Sequence, residues 1–175
     1  MNKEKTIRQY ISIFCAIILY YIIHEGAHLF YALYLNVFKQ IRCIALGIQI
    51  DVYVEKMSAI ELGIFCIIGS ITTVICAYIF VICSSIFVKF KSKLIRAILY
   101  YVTIAMLFLD PIYLSVLHPF VGGGDMNGIS LLINKGYASI FYGVICAINI
   151  LLFCKIVLAK YSKSFQEITL SETMD

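Results

Sequence analysis

Two histidines and a glutamate near the amino terminus have the types and the spacing of a zinc site. His24 and His28 stand four residues apart, and Glu25 directly follows the first histidine. On a helix, side chains four residues apart lie on one face, so both imidazoles can bind one cation. In the H-E-x-x-H arrangement the histidines hold zinc and the glutamate is the general base for a water. We therefore predict that His24 and His28 are metal ligands and that Glu25 is catalytic.

The motif lies within an apolar segment that is long enough to cross a membrane. Residues 11–35 contain only Ser12 and the tyrosine hydroxyls as further polar side chains. An ionisable group at the centre of a membrane helix costs roughly 2.5–3.5 kcal/mol on insertion scales. Three such groups within five residues need a compensating partner, and a cation between two neutral imidazoles beside a carboxylate supplies one. This setting favours a metal site over packing histidines.

The composition indicates a protein that lives in a lipid bilayer. Of the 175 residues, 62% are hydrophobic and 14% are charged, whereas soluble domains carry about 25% charged residues. The net charge of +4 comes from lysines and arginines at the predicted helix ends, which suits lipid headgroups better than nucleic acid. The seven cysteines form no C-x-x-C pair, so we expect neither disulfides nor a cysteine metal site. We expect one membrane domain over residues 1–160, without a cleaved signal peptide, and a polar, poorly ordered tail over residues 161–175.

Four long apolar segments predict an all-α membrane protein with about four transmembrane helices. These segments cover residues 10–37, 58–88, 94–117 and 137–159. Four small residues interrupt the bulky side chains of the second segment: Gly69, Ser70, Thr72 and Thr73. Because small residues let membrane helices approach closely, we expect this helix to pack tightly against the helix that carries the histidines.

A short segment of alternating residues after the first helix predicts a β-hairpin. The even positions from 44 to 54 are all aliphatic, and the odd positions include Gln49 and Asp51. This period of two is typical of an extended strand, and Gly47 suits a turn. The hairpin is either an ordinary interfacial element or an exposed strand edge that binds an extended peptide by β-augmentation. In the second interpretation, the substrate-binding residues are Ile48, Ile50 and Val52.

A catalytic zinc ion needs a third protein ligand besides the two histidines. The candidates are Asp125, Asp110, His118 and Glu61. At about 1.5 Å per residue, His24 lies roughly 20 Å into the membrane, nearer the side of the predicted hairpin. Asp125 follows the third helix on that same side, and the glycines before it allow the chain to turn inward, so we favour it. Asp110 lies at a similar depth to His24 and stays the alternative, as a ligand or as the hydrogen-bond acceptor of one.

Together these features resemble the site-2 protease family of intramembrane zinc metalloproteases. The likeness covers residues 10–135 and rests on the motif at residues 24–28, the strand region after it, and an aspartate after a Pro- and Gly-containing segment. The family typically has Asn-x-x-Pro followed by Asp-Gly. Here no Asn leads Pro119, which lies six residues before Asp125, and Asp125 is not directly followed by glycine.

The resemblance implies a zinc endopeptidase that cleaves a peptide within or next to a membrane-spanning segment. Zinc held by His24, His28 and Asp125 activates water, and Glu25 passes the proton of that water to the leaving amine. The implied substrates are of bacterial type, such as an anti-sigma factor, a signal-peptide remnant or a small secreted peptide precursor. One alternative is a catalytically silent protein of the same fold that binds or sequesters a peptide, although a binder has no need of Glu25. A metal transporter is a further alternative, and the single cluster of ionisable groups argues against it.

Charge and resemblance predict opposite orientations in the cell membrane. Ten of the 14 basic residues are expected on the side of the termini: Lys3, Lys5, Arg8, Lys89, Lys91, Lys93, Arg96, Lys155, Lys160 and Lys163. The positive-inside rule then places both termini of this multi-pass protein in the cytoplasm and the metal site toward the outside. The family resemblance implies a site that lies toward the cytoplasm.

Overall fold

The computed structural model describes residues 3–44, 47–122 and 124–172, and it is predominantly helical. In chain order its elements are α1 (Lys3–Tyr34), β1 (Phe38–Ile44), β2 (Gly47–Val52), α2 (Ala59–Phe87), α3 (Lys93–Ile112), α4 (His118–Val121), α5 (Gly124–Ile129), α6 (Lys135–Leu152) and α7 (Leu158–Glu172). A 3₁₀ turn precedes α2, and π-helical turns join α3 to α4 and α6 to α7. The last two junctions are therefore continuous helical segments.

Four helical segments are long and apolar enough to cross a membrane. They are Lys3–Tyr34, Ala59–Phe87, Lys93–Val121 and Lys135–Gln166. The predicted fold class, four transmembrane helices with a hairpin after the first, is confirmed. The first helix begins at Lys3, earlier than the apolar pattern indicates, because its basic flank is also helical.

The segment that we expected to be a poorly ordered tail continues the last helix as far as Glu172. Tyr161 is 1% exposed and Ser164 is 8% exposed, so the start of this segment is packed against the rest of the protein. Val157, Tyr161 and Phe165 recur every four residues and form an apolar face that contacts α2 and α3. This face packs the start of the segment against the bundle although the average polarity of residues 161–175 is high.

The hairpin is antiparallel and lies beside α1. Ile41 pairs with Ile50, and Cys43 pairs with Ile48. The strands begin at Phe38, six residues earlier than the alternating pattern, and the predicted turn lies at the start of β2 and in residues 45–46, which are outside the described residues. Gly47 has a φ of 150°, and a Cβ there would come within 2.6 Å of the Tyr21 ring. Glycine thus lets the hairpin pack directly on α1.

Small residues also bring α2 close to its neighbours. A Cβ on Gly128 of α5 would lie 2.1 Å from Cys66 Sγ, and a Cβ on Gly63 would lie 2.4 Å from Leu132. Around these contacts, one apolar core includes Phe65, Met126 and Ile129 at the hairpin end of the molecule. A second core, around Met106 and Leu107, fills the other end.

A proline in α3 is accommodated by a neighbouring helix. Pro111 has no N–H, so the carbonyl of Leu107 lacks its usual helical donor. The Asn149 side chain of α6 is buried and donates to that carbonyl at 2.6 Å. This bond keeps α3 continuous at the depth of Asp110, next to the pair of histidines.

Candidate metal centre

Three predicted ligands converge at the interface of α1, α2 and α5. Nε2 of His24 lies 3.2 Å from Nε2 of His28. Asp125 has Oδ2 at 3.4 Å from Nε2 of His24 and Oδ1 at 3.9 Å from Nε2 of His28. Tetrahedral zinc with ligand bonds of 2.0–2.1 Å places its ligand atoms roughly 3.3 Å apart. The three residues can therefore hold one metal ion, with a fourth position left open.

The backbone of α2 sets the tautomer of His28. Its Nδ1 lies 2.7 Å from the carbonyl oxygen of Phe65, which can only accept a hydrogen bond. Nδ1 must therefore carry the proton, and Nε2 of the neutral ring presents a lone pair to the cluster. A metal-binding histidine usually has this arrangement, in which the second ring nitrogen donates to a fixed acceptor.

Asp110 orients His24 and does not reach the cluster of ligands. Its Oδ2 lies 3.2 Å from Nδ1 of His24, on the side of the ring opposite the metal position. Tyr20 donates to Oδ1 at 2.6 Å, and the Thr73 hydroxyl donates to Oδ2. These donors hold Asp110, which is 1% exposed, as the acceptor for the His24 ring N–H. Of the two roles left open for Asp110, the structure places it in the role of hydrogen-bond acceptor.

The donor set fits a cation. Both Nδ1 atoms are engaged as donors, so the two Nε2 atoms and the Asp125 carboxylate all direct lone pairs into the same small space. Facing lone pairs repel one another unless a proton or a metal ion lies between them. Two imidazoles and one carboxylate are a ligand set found in catalytic zinc sites.

Gly69 makes room for the two imidazoles. A Cβ at this position would lie 2.4 Å from Nε2 of His28 and 2.8 Å from Nε2 of His24. The expected close approach of α2 to α1 is thus confirmed at the Nε2 atoms of the two histidines. With glycine at position 69, no side chain there fills the space between the two imidazoles.

Glu25 lies beside the cluster and contacts the hairpin. The backbone N–H of Ile50 donates to its Oε2 at 3.3 Å. Glu25 is half-buried and is not among the three ligands, as expected for a base that stands next to the metal. Since this N–H is directed to α1, the edge of β2 that does not pair with β1 faces the site.

A cleft of about 400 Å³ opens between the hairpin and α2. Its lining includes Ile50 and Val52 of β2, Phe65 and Cys66 of α2, and Asp125. The Asp125 side chain is 24% exposed, whereas the two histidine side chains are nearly inaccessible. The cleft therefore supplies an approach to Asp125 from the hairpin side.

The remaining predicted residues lie in different surroundings. The Ile50 side chain is 4% exposed and packs in the core, so the backbone of β2 faces the site more directly than this side chain does. Ile48 does not line the cleft. His118 contacts Ser139 at 3.1 Å, and Glu61 caps α2 by accepting the Ser58 N–H at 2.8 Å. Neither of these last two is part of the cluster.

Comparison with known proteins adds no identification. No protein-family model, curated protein or solved structure matches the chain. The likeness to site-2 proteases therefore stays a prediction that rests on the motif.

Sequence reasoning missed three contacts that orient the ligands: Tyr20, Thr73 and the carbonyl of Phe65. Tyr20 stands four residues before His24, so the helical period that links the two histidines also predicts its place on the same face. Thr73 and Phe65 lie on α2, and no spacing in the sequence connects them to the motif.

Proposed function

We propose that this protein is a membrane-embedded zinc endopeptidase. His24, His28 and Asp125 hold the metal, and Glu25 is the general base. The observation that carries the proposal is the convergence of three lone-pair donors, two of them with fixed tautomers, beside a carboxylate and an open cleft. Bound zinc would supply a Lewis acid and an acidified water.

Glu25 is placed to move the proton that hydrolysis requires. Peptide hydrolysis adds water to the carbonyl carbon, breaks the C–N bond and needs a proton on the departing amine. A carboxylate that follows the proposed ligand His24 and contacts Ile50 of the cleft lining can take that proton and return it to the amine. Thr73, Tyr20 and Asp110 keep the His24 ring in position while this occurs.

The edge of β2 supports a peptide substrate. An extended chain that adds to this edge would accept a hydrogen bond from the N–H of Ile50, which Glu25 accepts in the structure. A substrate carbonyl at that N–H would release Glu25 toward the metal. The cleft, at about 400 Å³, has room for a few residues of such a strand.

The test compares metal content and cleavage in three proteins. Wild type, Glu25→Gln and the matched control Glu55→Gln, which changes an exposed glutamate near the hairpin, would be purified in a neutral detergent. We expect close to one zinc per chain in all three. We expect cleavage of a quenched library of apolar peptides in wild type and Glu55→Gln alone. Absence of zinc, or full activity in Glu25→Gln, would refute the proposal.

One observation favours a second function, that of a silent peptide binder. The Glu25–Ile50 hydrogen bond gives the carboxylate a structural role that needs no catalysis. In this case a peptide would bind along β2 without being cut. The same peptide library distinguishes the two functions. A protease cleaves peptides and loses this activity in Glu25→Gln, whereas a binder holds peptides that stay intact in both wild type and Glu25→Gln.

A further inference from the structure

A basic cavity lies at the end of the helical bundle away from the metal centre. Its volume is about 570 Å³, and its lining residues are Ser85, Val88, Lys89, Arg96, Lys160, Lys163 and Ser164. Ser85 follows Gly69 by 16 residues on α2, which places the cavity about 24 Å along the helix from the imidazoles. The cavity is therefore separate from the proposed active site.

Arg96 is buried in the wall of this cavity with unused hydrogen-bonding capacity. It is 4% exposed, and Phe165 covers its guanidinium at 5.7 Å. Its Nη1 donates to Ser164 at 2.7 Å and to the Val88 carbonyl at 3.5 Å, while its buried Nε has no hydrogen-bond partner. In the described part of the chain, Nη1 is the one guanidinium nitrogen with an acceptor. Burying an arginine without a carboxylate is costly, so the site favours an anion.

A second basic residue of the lining, Lys160, also lacks a carboxylate partner among the described residues. Nζ of Lys160 donates to the hydroxyls of Ser84, at 3.0 Å, and Ser85, at 2.7 Å. Hydroxyls orient an ammonium group and leave its charge uncompensated. A planar guanidinium, ammonium groups and serine hydroxyls together form the donor set that proteins use for phosphate.

We propose that this cavity binds a phosphate group. Four of its lining residues lie within two turns of the end of α2 or the start of α3, which is where a spanning helix meets the lipid headgroups, and the other three come from α7. Basic pockets between membrane helices bind the headgroups of anionic lipids. The phosphate comes either from such a lipid or from a free phosphate compound in the adjoining water.

The experiment uses the full-length protein in a neutral detergent. Retention of phosphatidylglycerol and phosphatidylcholine is measured by native mass spectrometry, and thermal stability is measured with inorganic phosphate against chloride of equal ionic strength. The variants are Lys160→Gln and Lys89→Gln, with Lys91→Gln as the matched control. Lys91 is exposed in the same α2–α3 connection and does not line the cavity.

We expect phosphatidylglycerol to be retained over phosphatidylcholine, and each lining variant to weaken its binding about fivefold. Lys91→Gln should bind like wild type. If inorganic phosphate stabilises the protein and phosphatidylglycerol is not preferred, the source is a free phosphate compound and the cavity is still a phosphate site. The proposal is overturned if neither probe has an effect, or if Lys91→Gln weakens binding as much as Lys160→Gln. An Arg96→Lys variant, which keeps the charge and removes the planar fork, should show reduced retention if it folds.

Discussion

Two aspartates at the metal centre have different tasks, and their distances separate them. Asp125 points at the Nε2 atoms of both histidines, whereas Asp110 contacts the opposite nitrogen of His24. Removing the Asp125 carboxylate takes away a proposed metal ligand. Removing the Asp110 carboxylate leaves the three proposed ligands in place, and only the orientation of the His24 ring is less well fixed. The two substitutions should therefore weaken metal binding to different degrees.

Asp110→Asn should lower zinc affinity about 10–100-fold, because it weakens the acceptor that fixes the His24 ring. Asp125→Asn should have the larger effect. Zinc affinity is measured by competition with a chelator, and Glu55→Gln, which changes an exposed glutamate outside the cleft lining, serves as the control. Equal losses in the two site variants would contradict separate roles for Asp110 and Asp125.

Gly69→Ala should remove zinc and leave the helices formed. Alanine favours a helix, but its Cβ would occupy the space 2.4 Å from Nε2 of His28. Gly26→Ala is the matched control, since no atom lies within 4 Å of a Cβ at that position on α1. Zinc content and circular dichroism are measured on both. Full zinc occupancy in Gly69→Ala would show that the imidazoles do not need this space.

At the scale of elements, the hairpin is attached to the site through its backbone. Gly47 packs on Tyr21, and the N–H of Ile50 contacts Glu25, so α1 contacts β2 at its start and near its middle. The alternating pattern predicted side chains as the substrate-binding groups. In the structure the backbone edge of the strand contacts Glu25, the proposed general base.

Ile50→Pro should reduce peptide cleavage at least tenfold while zinc stays bound. Proline removes the N–H that contacts Glu25 and that a substrate strand would use, and this N–H does not pair with β1. Ile50→Val, which keeps the N–H, is the control for the change in side-chain packing. Cleavage by Ile50→Pro at the rate of Ile50→Val would exclude a role for this edge in substrate binding.

At the scale of the whole molecule, the two ends of the bundle differ in chemistry. The hairpin, the cleft and the metal centre share one end. The other end gathers basic residues from α2, α3 and α7 around one cavity, where Arg96 and Lys160 contact serine hydroxyls from neighbouring helices. This distribution favours the positive-inside orientation over the one that the family resemblance implies.

A reporter protein fused to the carboxyl terminus should therefore show that this terminus lies in the cytoplasm. In a bacterial host, green fluorescent protein at this position should fluoresce, and alkaline phosphatase should be inactive. The same reporters inserted in the connection between α5 and α6 should give the opposite pattern. Active phosphatase at the carboxyl terminus would place the metal centre toward the cytoplasm, as in the resemblance.

Features that depend on local geometry could be predicted from the order of the residues alone. Four long apolar segments are membrane helices because twenty or so apolar residues in a helix span a bilayer. His24 and His28 share a face because four residues make about one helical turn. Neither feature depends on where a helix is placed relative to the other helices. The apolar face of α7 was equally local, and the spacing of Val157, Tyr161 and Phe165 could have predicted it.

Only the packing of the helices against one another sets which nitrogen of His24 each of the two aspartates contacts. Asp110 and Asp125 are both far from the motif in sequence, and depth along a helix leaves the rotation of the helix undefined. The rotation of α3 directs Asp110 to Nδ1 of His24, and the packing of Gly128 on Cys66 brings Asp125 to the Nε2 atoms. The distances between the proposed ligand atoms depend on this packing, and a pattern of residue types does not predict them.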